Sequence, residues 1–355
     1  MHSIVLIGNC QIRALYNLYN RFVGAAARQR VIFIASYEDI TESDRIAIRA
    51  ADVVVEQVLD FKPKADIAGV ETLAERVFVP MVNCGFLWPF AGQPHPNNPS
   101  RPYLETGPYG AESSDAWLNR MIKTGVDPET AVERYLQLDL NATVNLDRLC
   151  EITLDKQRQR DEATGFRIAD LIAEHFRKEA VFRTPYHPNA RVTVALTTQF
   201  FERLGVSQQD IEAMQRAIRT TPFPKDELPI HPSVISHFGL RFVPEGRRWQ
   251  FMHEGGFTAR EFYLRYMSCC WNEPLAEGLE RARSGDFEAA RASLEAGLAL
   301  SPEAAAGHGT MAHVLARLGQ RDKAIAAAER AIAIDPDHAA YHAQLGGLLR
   351  TIGND

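Results

Sequence analysis

The chain opens with the run SIVLIGNCQ, residues 3–11, in which four consecutive apolar residues end on a glycine, an amide, a thiol and a second amide. Continuous rather than alternating apolarity is the pattern of a strand buried on both faces, as in parallel sheets covered by helices. Three more runs of the same kind follow at residues 31–35, 52–58 and 76–82. The stretches between them, residues 10–22, 38–50 and 64–75, have the length of crossover helices. This βαβαβαβ order predicts an α/β fold built on a mainly parallel, doubly wound sheet.

Beyond the fourth strand the text changes. Residues 83–110 hold six prolines and four glycines together with Phe86, Trp88, Phe90 and His95. A loop of that length inside a compact domain is usually functional, and its aromatic content argues against disorder. Helical patterns return at residues 114–124, 127–136, 142–161 and 166–178. A fifth strand is expected at 180–184, and the turn Pro185-Tyr186-His187-Pro188 then precedes a helix at 191–204. Residues 221–256 read as irregular, with short strands near 241–243 and 249–252.

The last eighty residues repeat. Gly285, Gly319 and Gly353 are spaced by 34 residues, as are Pro302 and Pro336, Ala290 and Ala324, and Glu295 and Glu329. A 34-residue helix-turn-helix period with a proline closing the second helix is the tetratricopeptide (TPR) signature. The expected organisation is therefore an α/β domain over residues 1–270 and all-α TPR-like repeats over 271–355, with helices near 258–266 and 274–283 capping the array. About two repeats bury no continuous core alone, so this segment is expected to dock, self-associate or hold a protein partner.

Composition narrows the function classes. The 355 residues carry 39 basic and 45 acidic side chains, a net charge of −6, and are 46% hydrophobic. A nucleic-acid binder normally shows a clustered basic footprint, which is absent here. No apolar stretch approaches the roughly 18 residues of a membrane-spanning helix. The cysteines Cys10, Cys84, Cys150, Cys269 and Cys270 are odd in number and lack CxxC spacing. They read as reduced thiols of a cytoplasmic protein. His95, His231, His237 and His253 sit in loops without ligand spacing, so no metal site is expected.

The chemistry points to the first strand's end. In open α/β sheets ligands bind at the carboxyl ends of strands, where Gly8-Asn9-Cys10-Gln11 lies. One glycine is not a dinucleotide fingerprint. A cysteine at a helix N-terminus, however, is a competent nucleophile, because the helix dipole and free N–H groups stabilise its thiolate. The same residue also suits packing beneath the strand. Asn9 and Gln11 are placed to donate amide hydrogens to an oxyanion beside Cys10. His187, in a proline-flanked turn between a strand and a helix, is the candidate base. Arg13, Lys62, Lys64, Arg247 and Arg248 are cations available to phosphates.

These pieces together resemble the WcbI-type polysaccharide biosynthesis acetyltransferase family, a distant relative of the SGNH esterase fold. The resemblance runs over roughly residues 3–265. It rests on "IGNCQ" at 7–11, "ADVVVEQV" at 51–58 with Gln57, "FLWPFAGQPHP" at 86–96, "FRTPYHPNARVTVALTTQFFERLG" at 182–205 and "LPIHPSV" at 228–234. It implies a coenzyme-A-dependent O-acetyltransferase that moves an acetyl group from acetyl-coenzyme A to a sugar hydroxyl. Cys10 would replace the serine nucleophile, His187 would be the base, and Asn9, Gln11 and Gln57 polar stabilisers. Gly8, Arg13, Gln57, Trp88 and His95 would contact the coenzyme, the aromatic loop covering its pantetheine arm or the acceptor. One position departs from the SGNH pattern: Thr184 stands where an aspartate would orient the histidine. The competing readings are an esterase-type hydrolase using the same cysteine, and a non-catalytic TPR adaptor.

Overall fold

The computed structural model describes residues 3–24, 29–60, 63–65, 67, 69–99, 107–220 and 226–350. The chain forms two compact units whose segments interleave: residues 1–84, 147–182 and 186–220 build the first, and residues 85–146, 183–185 and 221–355 the second.

In the first unit β1 (Ser3–Gly8), β2 (Arg30–Ala35), β3 (Val53–Val58) and β4 (Glu75–Pro80) form a parallel sheet in the order β2-β1-β3-β4. The central strand β1 is buried along Ile4, Val5, Leu6 and Ile7, as its unbroken apolar run requires. Helix α1 (Cys10–Tyr19) buries Ile12, Leu15 and Tyr19, and α2 (Glu42–Arg49) sends Ile48 into a layer with Val5, Ile7, Ile34 and Val54. Helix α2 opens on a capping box between Thr41 and Asp44.

The third crossover differs from expectation: no helix forms among the described residues of 63–74. Ala65, Ile67 and Val70 are all buried there, and positions two apart cannot share one helix face. The described residues here, 63–65, 67 and 69–74, are irregular instead.

Further along come α3 (Ala116–Lys123), α4 (Pro128–Leu136) and α5 (Leu140–Thr143) of the second unit, then α6 (Leu146–Thr164) and α7 (Ala169–His175). The strand expected at 180–184 is only β5 (Phe182–Thr184), outside the four-stranded sheet, and Pro185 ends it. The two-residue β6 (His187–Pro188), α8 (Ala190–Arg203) and α9 (Gln208–Thr220) return to the first unit. There the Tyr19 ring meets Phe201 edge-on at 5.7 Å. Next are α10 (Pro232–Phe238), the hairpin β7 (Trp249–Phe251) and β8 (Gly255–Phe257), and α11 (Ala259–Met267). No strand forms at 241–243.

The repeat segment is α12 (Glu273–Ser284), α13 (Phe287–Leu300), α14 (Ala305–Arg317), α15 (Arg321–Ile334) and α16 (Ala339–Arg350). Equivalent helices start 34 residues apart, Phe287 with Arg321 and Ala305 with Ala339. Leu275, Leu294, Met311, Val314, Leu315 and Ala324 form its core. The helices pack closely: a Cβ on Gly297 would lie 2.6 Å from the Leu275 backbone.

The rest of the second unit is packed around buried tyrosines. Asp115 caps α3, accepting from the Leu118 N–H at 2.9 Å and from the Tyr135 hydroxyl. Burial raises its carboxyl from the ordinary 3.8 to about 6. The fold therefore prefers the protonated acid. The Asp115 contribution to stability is greatest at low pH, falls as pH rises from about 4 to about 6, and is level above that, for a total of about 3 kcal/mol. Asp115→Asn, which retains an oxygen for Leu118, is expected to remove that decline. Its melting temperature relative to the parent should rise between pH 4 and pH 6; a difference independent of pH would refute this.

Candidate active site

Everything at the end of β1 depends on the missing side chain of Gly8. A Cβ there would sit 2.3 Å from Cγ1 of Ile12 and 2.9 Å from Oε1 of Gln57. Glycine thus lets α1 turn back against the strand and lets Gln57, reaching from β3, touch the next residue. The Asn9 N–H donates to Gln57 Oε1 at 2.9 Å. Asn9 in turn caps α1: its Oδ1 accepts from the Gln11 N–H at 2.8 Å, and its carbonyl from the Arg13 N–H at 3.0 Å.

This cap makes Cys10 the first residue of α1, with an exposed side chain. Its Sγ lies 3.5 Å from Nε2 of His187, a sulfur–nitrogen hydrogen-bond distance. Two residues on, Asn189 anchors the chain: its N–H donates to the Val181 carbonyl at 2.8 Å and its Nδ2 to the Ala180 carbonyl at 2.9 Å. A thiol at the positive end of a helix, with an imidazole at hydrogen-bond distance, has the arrangement that nucleophile-and-base chemistry requires.

Gln11 takes a different part from the one its position suggests. Its Nε2 donates to the carbonyls of Val82 and Tyr186, both at 2.7 Å. Its Oε1 accepts from the Val82 N–H at 3.0 Å and from Gln57 Nε2 at 3.2 Å. Both amide hydrogens are spent, so the side chain has none for a bound oxyanion. It ties the first turn of α1 to the residue before His187. Asn9 spends its side-chain oxygen on the cap, which leaves its amide nitrogen, the group expected to meet an oxyanion, uncommitted to that cap.

The remaining candidates separate. Arg13 is exposed one turn along α1 from Cys10, its guanidinium 4.6 Å above the Phe33 ring. Trp88 and His95 lie in the core of the second unit. The Trp88 indole donates to the Pro229 carbonyl at 3.1 Å. His95 Nδ1 accepts from the Asn97 N–H at 3.0 Å, and its ring stands edge-on to Tyr266 at 4.9 Å. Burial lowers the His95 pKa, because desolvation disfavours the charged ring. Arg247 and Arg248, also in the second unit, pair with Glu227 at 2.9 Å and Glu261 at 3.1 Å. Lys64 is exposed, and Lys62 lies outside the described residues. Among the described residues no group of three His, Cys, Asp or Glu side chains is placed to hold a metal ion.

With this geometry in place, comparison with known families is decisive. The profile of the polysaccharide biosynthesis enzyme WcbI matches residues 3–209. The chain belongs to the WcbI family. A tetratricopeptide repeat profile matches residues 281–346. A solved WcbI structure, of a polysaccharide biosynthesis enzyme in native form without a disulfide bond between coenzyme A and one of its cysteines, superposes with a TM-score of 0.54. It is 14% identical, and the match covers 83% of this chain and 99% of that one, which carries the fold. No curated protein matches the sequence.

Two outcomes are expected. Cys10 should alkylate before Cys84 and Cys150 at neutral pH, since burial pushes the Cys84 thiol well up and the Cys150 thiol to about 11. Peptide mapping after brief iodoacetamide treatment reads this; equal labelling of the three would refute it. Gln11→Ala should cost about 1–3 kcal/mol of stability, because the Val82 and Tyr186 backbone groups lose a buried partner. The same change should slow Cys10 alkylation, whereas an unaltered rate would show that the clamp does not set the Cys10–His187 contact.

Proposed function

We propose that the protein is a coenzyme-A-dependent O-acetyltransferase acting on a sugar hydroxyl in polysaccharide or glycoconjugate assembly. The observation that carries this reading is the Cys10–His187 contact of 3.5 Å at the N-terminus of α1, in a chain of the WcbI family. In this reading the Cys10 thiolate attacks the acetyl thioester, the C–S bond to coenzyme A breaks, and the acetyl group rests on Cys10. The acceptor hydroxyl then attacks that carbonyl as His187 takes its proton, and the cysteine is released. Arg13 is the cation best placed on the Cys10 face to meet a phosphate of the coenzyme, and Gly8 and Gln57 shape the turn beneath it. Gln11 is a positioning residue rather than an oxyanion donor.

The five cysteines are free, which suits a reducing compartment, and no described helix is long and apolar enough to cross a membrane. We place the reaction in the cytoplasm and assign the repeat segment to protein contact or self-association, apart from the chemistry.

A thermal-shift titration with coenzyme A, followed by turnover of acetyl-coenzyme A with and without saccharide acceptors, tests the proposal. Coenzyme A at about 100 times its dissociation constant should stabilise the fold by about 2.7 kcal/mol. Cys10→Ala and His187→Ala should each remove most transfer, and the double variant should lose little more. Hydrolysis of simple acetyl esters without coenzyme A would replace the transferase with an esterase. Full transfer by Cys10→Ala, with loss in His187→Ala, would replace the acyl-cysteine with direct attack on the thioester.

A further inference from the structure

Helix α11 ends in a Schellman motif whose geometry is complete: the Cys269 N–H bonds the Tyr266 carbonyl at 2.9 Å and the Cys270 N–H the Arg265 carbonyl at 2.8 Å. That motif requires left-handed backbone at the residue after the cap, and Cys269 supplies it at φ +50°. Glycine is the ordinary occupant because a Cβ is disfavoured there. The same protein uses glycine at the ends of α10, α12 and α14, at Gly239, Gly285 and Gly319. At Cys269 the chain instead keeps a thiol in a disfavoured conformation, next to the exposed Cys270. A backbone outlier of this kind points to use of the side chain.

We propose that Cys269 and Cys270 form a vicinal dithiol site that chelates a thiophilic trivalent arsenic centre. Adjacent Cα atoms lie about 3.8 Å apart, closer than the roughly 4.4–6.8 Å of ordinary disulfides. A direct S–S bond between neighbours is therefore strained, whereas an inserted arsenic atom with two As–S bonds bridges the pair. With an organoarsenous oxide, the As=O bond breaks, two As–S bonds form, and both thiol protons leave with the oxygen as water. Arsenic stays trivalent, so no oxidant is needed. The Cys269 thiol now donates to the Asn97 carbonyl at 3.4 Å, and the Cys270 carbonyl accepts from the Tyr109 hydroxyl at 2.8 Å. Capture exchanges the first contact and leaves the second. Two residues on, Asn272 caps α12 and donates to the Gly297 carbonyl at 2.7 Å, so the site stands at the root of the repeat segment.

The full chain is treated with phenylarsine oxide, challenged with excess 2-mercaptoethanol and weighed intact. One phenylarsenic adduct per chain should survive the monothiol and be released by 2,3-dimercaptopropanol. Cys10→Ala should retain the adduct, and Cys270→Ser should lose it. Cys269→Gly should lose it while melting at a higher temperature, because glycine relieves the left-handed turn. No surviving adduct in the parent chain, or an adduct that persists in Cys270→Ser or Cys269→Gly, overturns the proposal. So does loss of the adduct in Cys10→Ala, or a lower melting temperature for Cys269→Gly, which would make the thiol a packing group.

Discussion

The side-chain amide of Gln11 binds two carbonyls, one backbone N–H and a second glutamine at once. Its orientation admits no alternative. The Asn9 N–H needs an oxygen, which fixes Gln57; the Gln57 nitrogen then needs the Gln11 oxygen, which turns the Gln11 nitrogen to Val82 and Tyr186. An unsatisfied buried polar group costs about 1–3 kcal/mol, whereas a typical intramolecular hydrogen bond contributes a net of about 1 kcal/mol. The exposed Cys10–His187 contact is therefore too weak to hold its own geometry. The amide relay, anchored on a strand of the sheet, holds it, and the relay exists only because Gly8 carries no Cβ.

What the sequence made legible follows from the kind of signal each feature leaves. Buried parallel strands leave continuous apolar runs, so β1 to β4 could be read, and a 34-residue spacing of glycine and proline could be read as helix pairs. Cys10 and His187 were readable because each sits at a punctuated turn beside a strand or helix end. The irregular segment at 63–74 was not, since Ala65, Ile67 and Val70 resemble a helical run in composition and only their burial separates the two. The role of Gln11 was equally hidden: its partners are the backbone groups of Val82 and Tyr186, and a carbonyl leaves no trace in residue type. Helix α10 was hidden because the prolines around it read as irregular chain, and α9 fell in a stretch that carried no assignment.

Gln11 also limits what else the site can hold. Having given both amide hydrogens to backbone carbonyls, Gln11 offers rigidity rather than stabilisation of a developing negative charge. The dipole of α1 contributes charge stabilisation at Cys10, worth about 0.3–1 kcal/mol at an exposed position.

That modest field bears on the proposed pairing of a thiol at position 10 with the imidazole of His187. Moving a proton from an ordinary thiol, near 8.5, to an ordinary imidazole, near 6.5, costs about 3 kcal/mol. The helix terminus and the attraction between the resulting ions offset part of this without a third residue. A serine hydroxyl is far less acidic, and its activation depends on a carboxylate that steadies the imidazolium. Thr184, buried and uncharged at neutral pH, supplies no such charge. In the proposed reaction a serine at position 10 would therefore ask more of His187 than the thiol does, however firmly Gln11 held the turn.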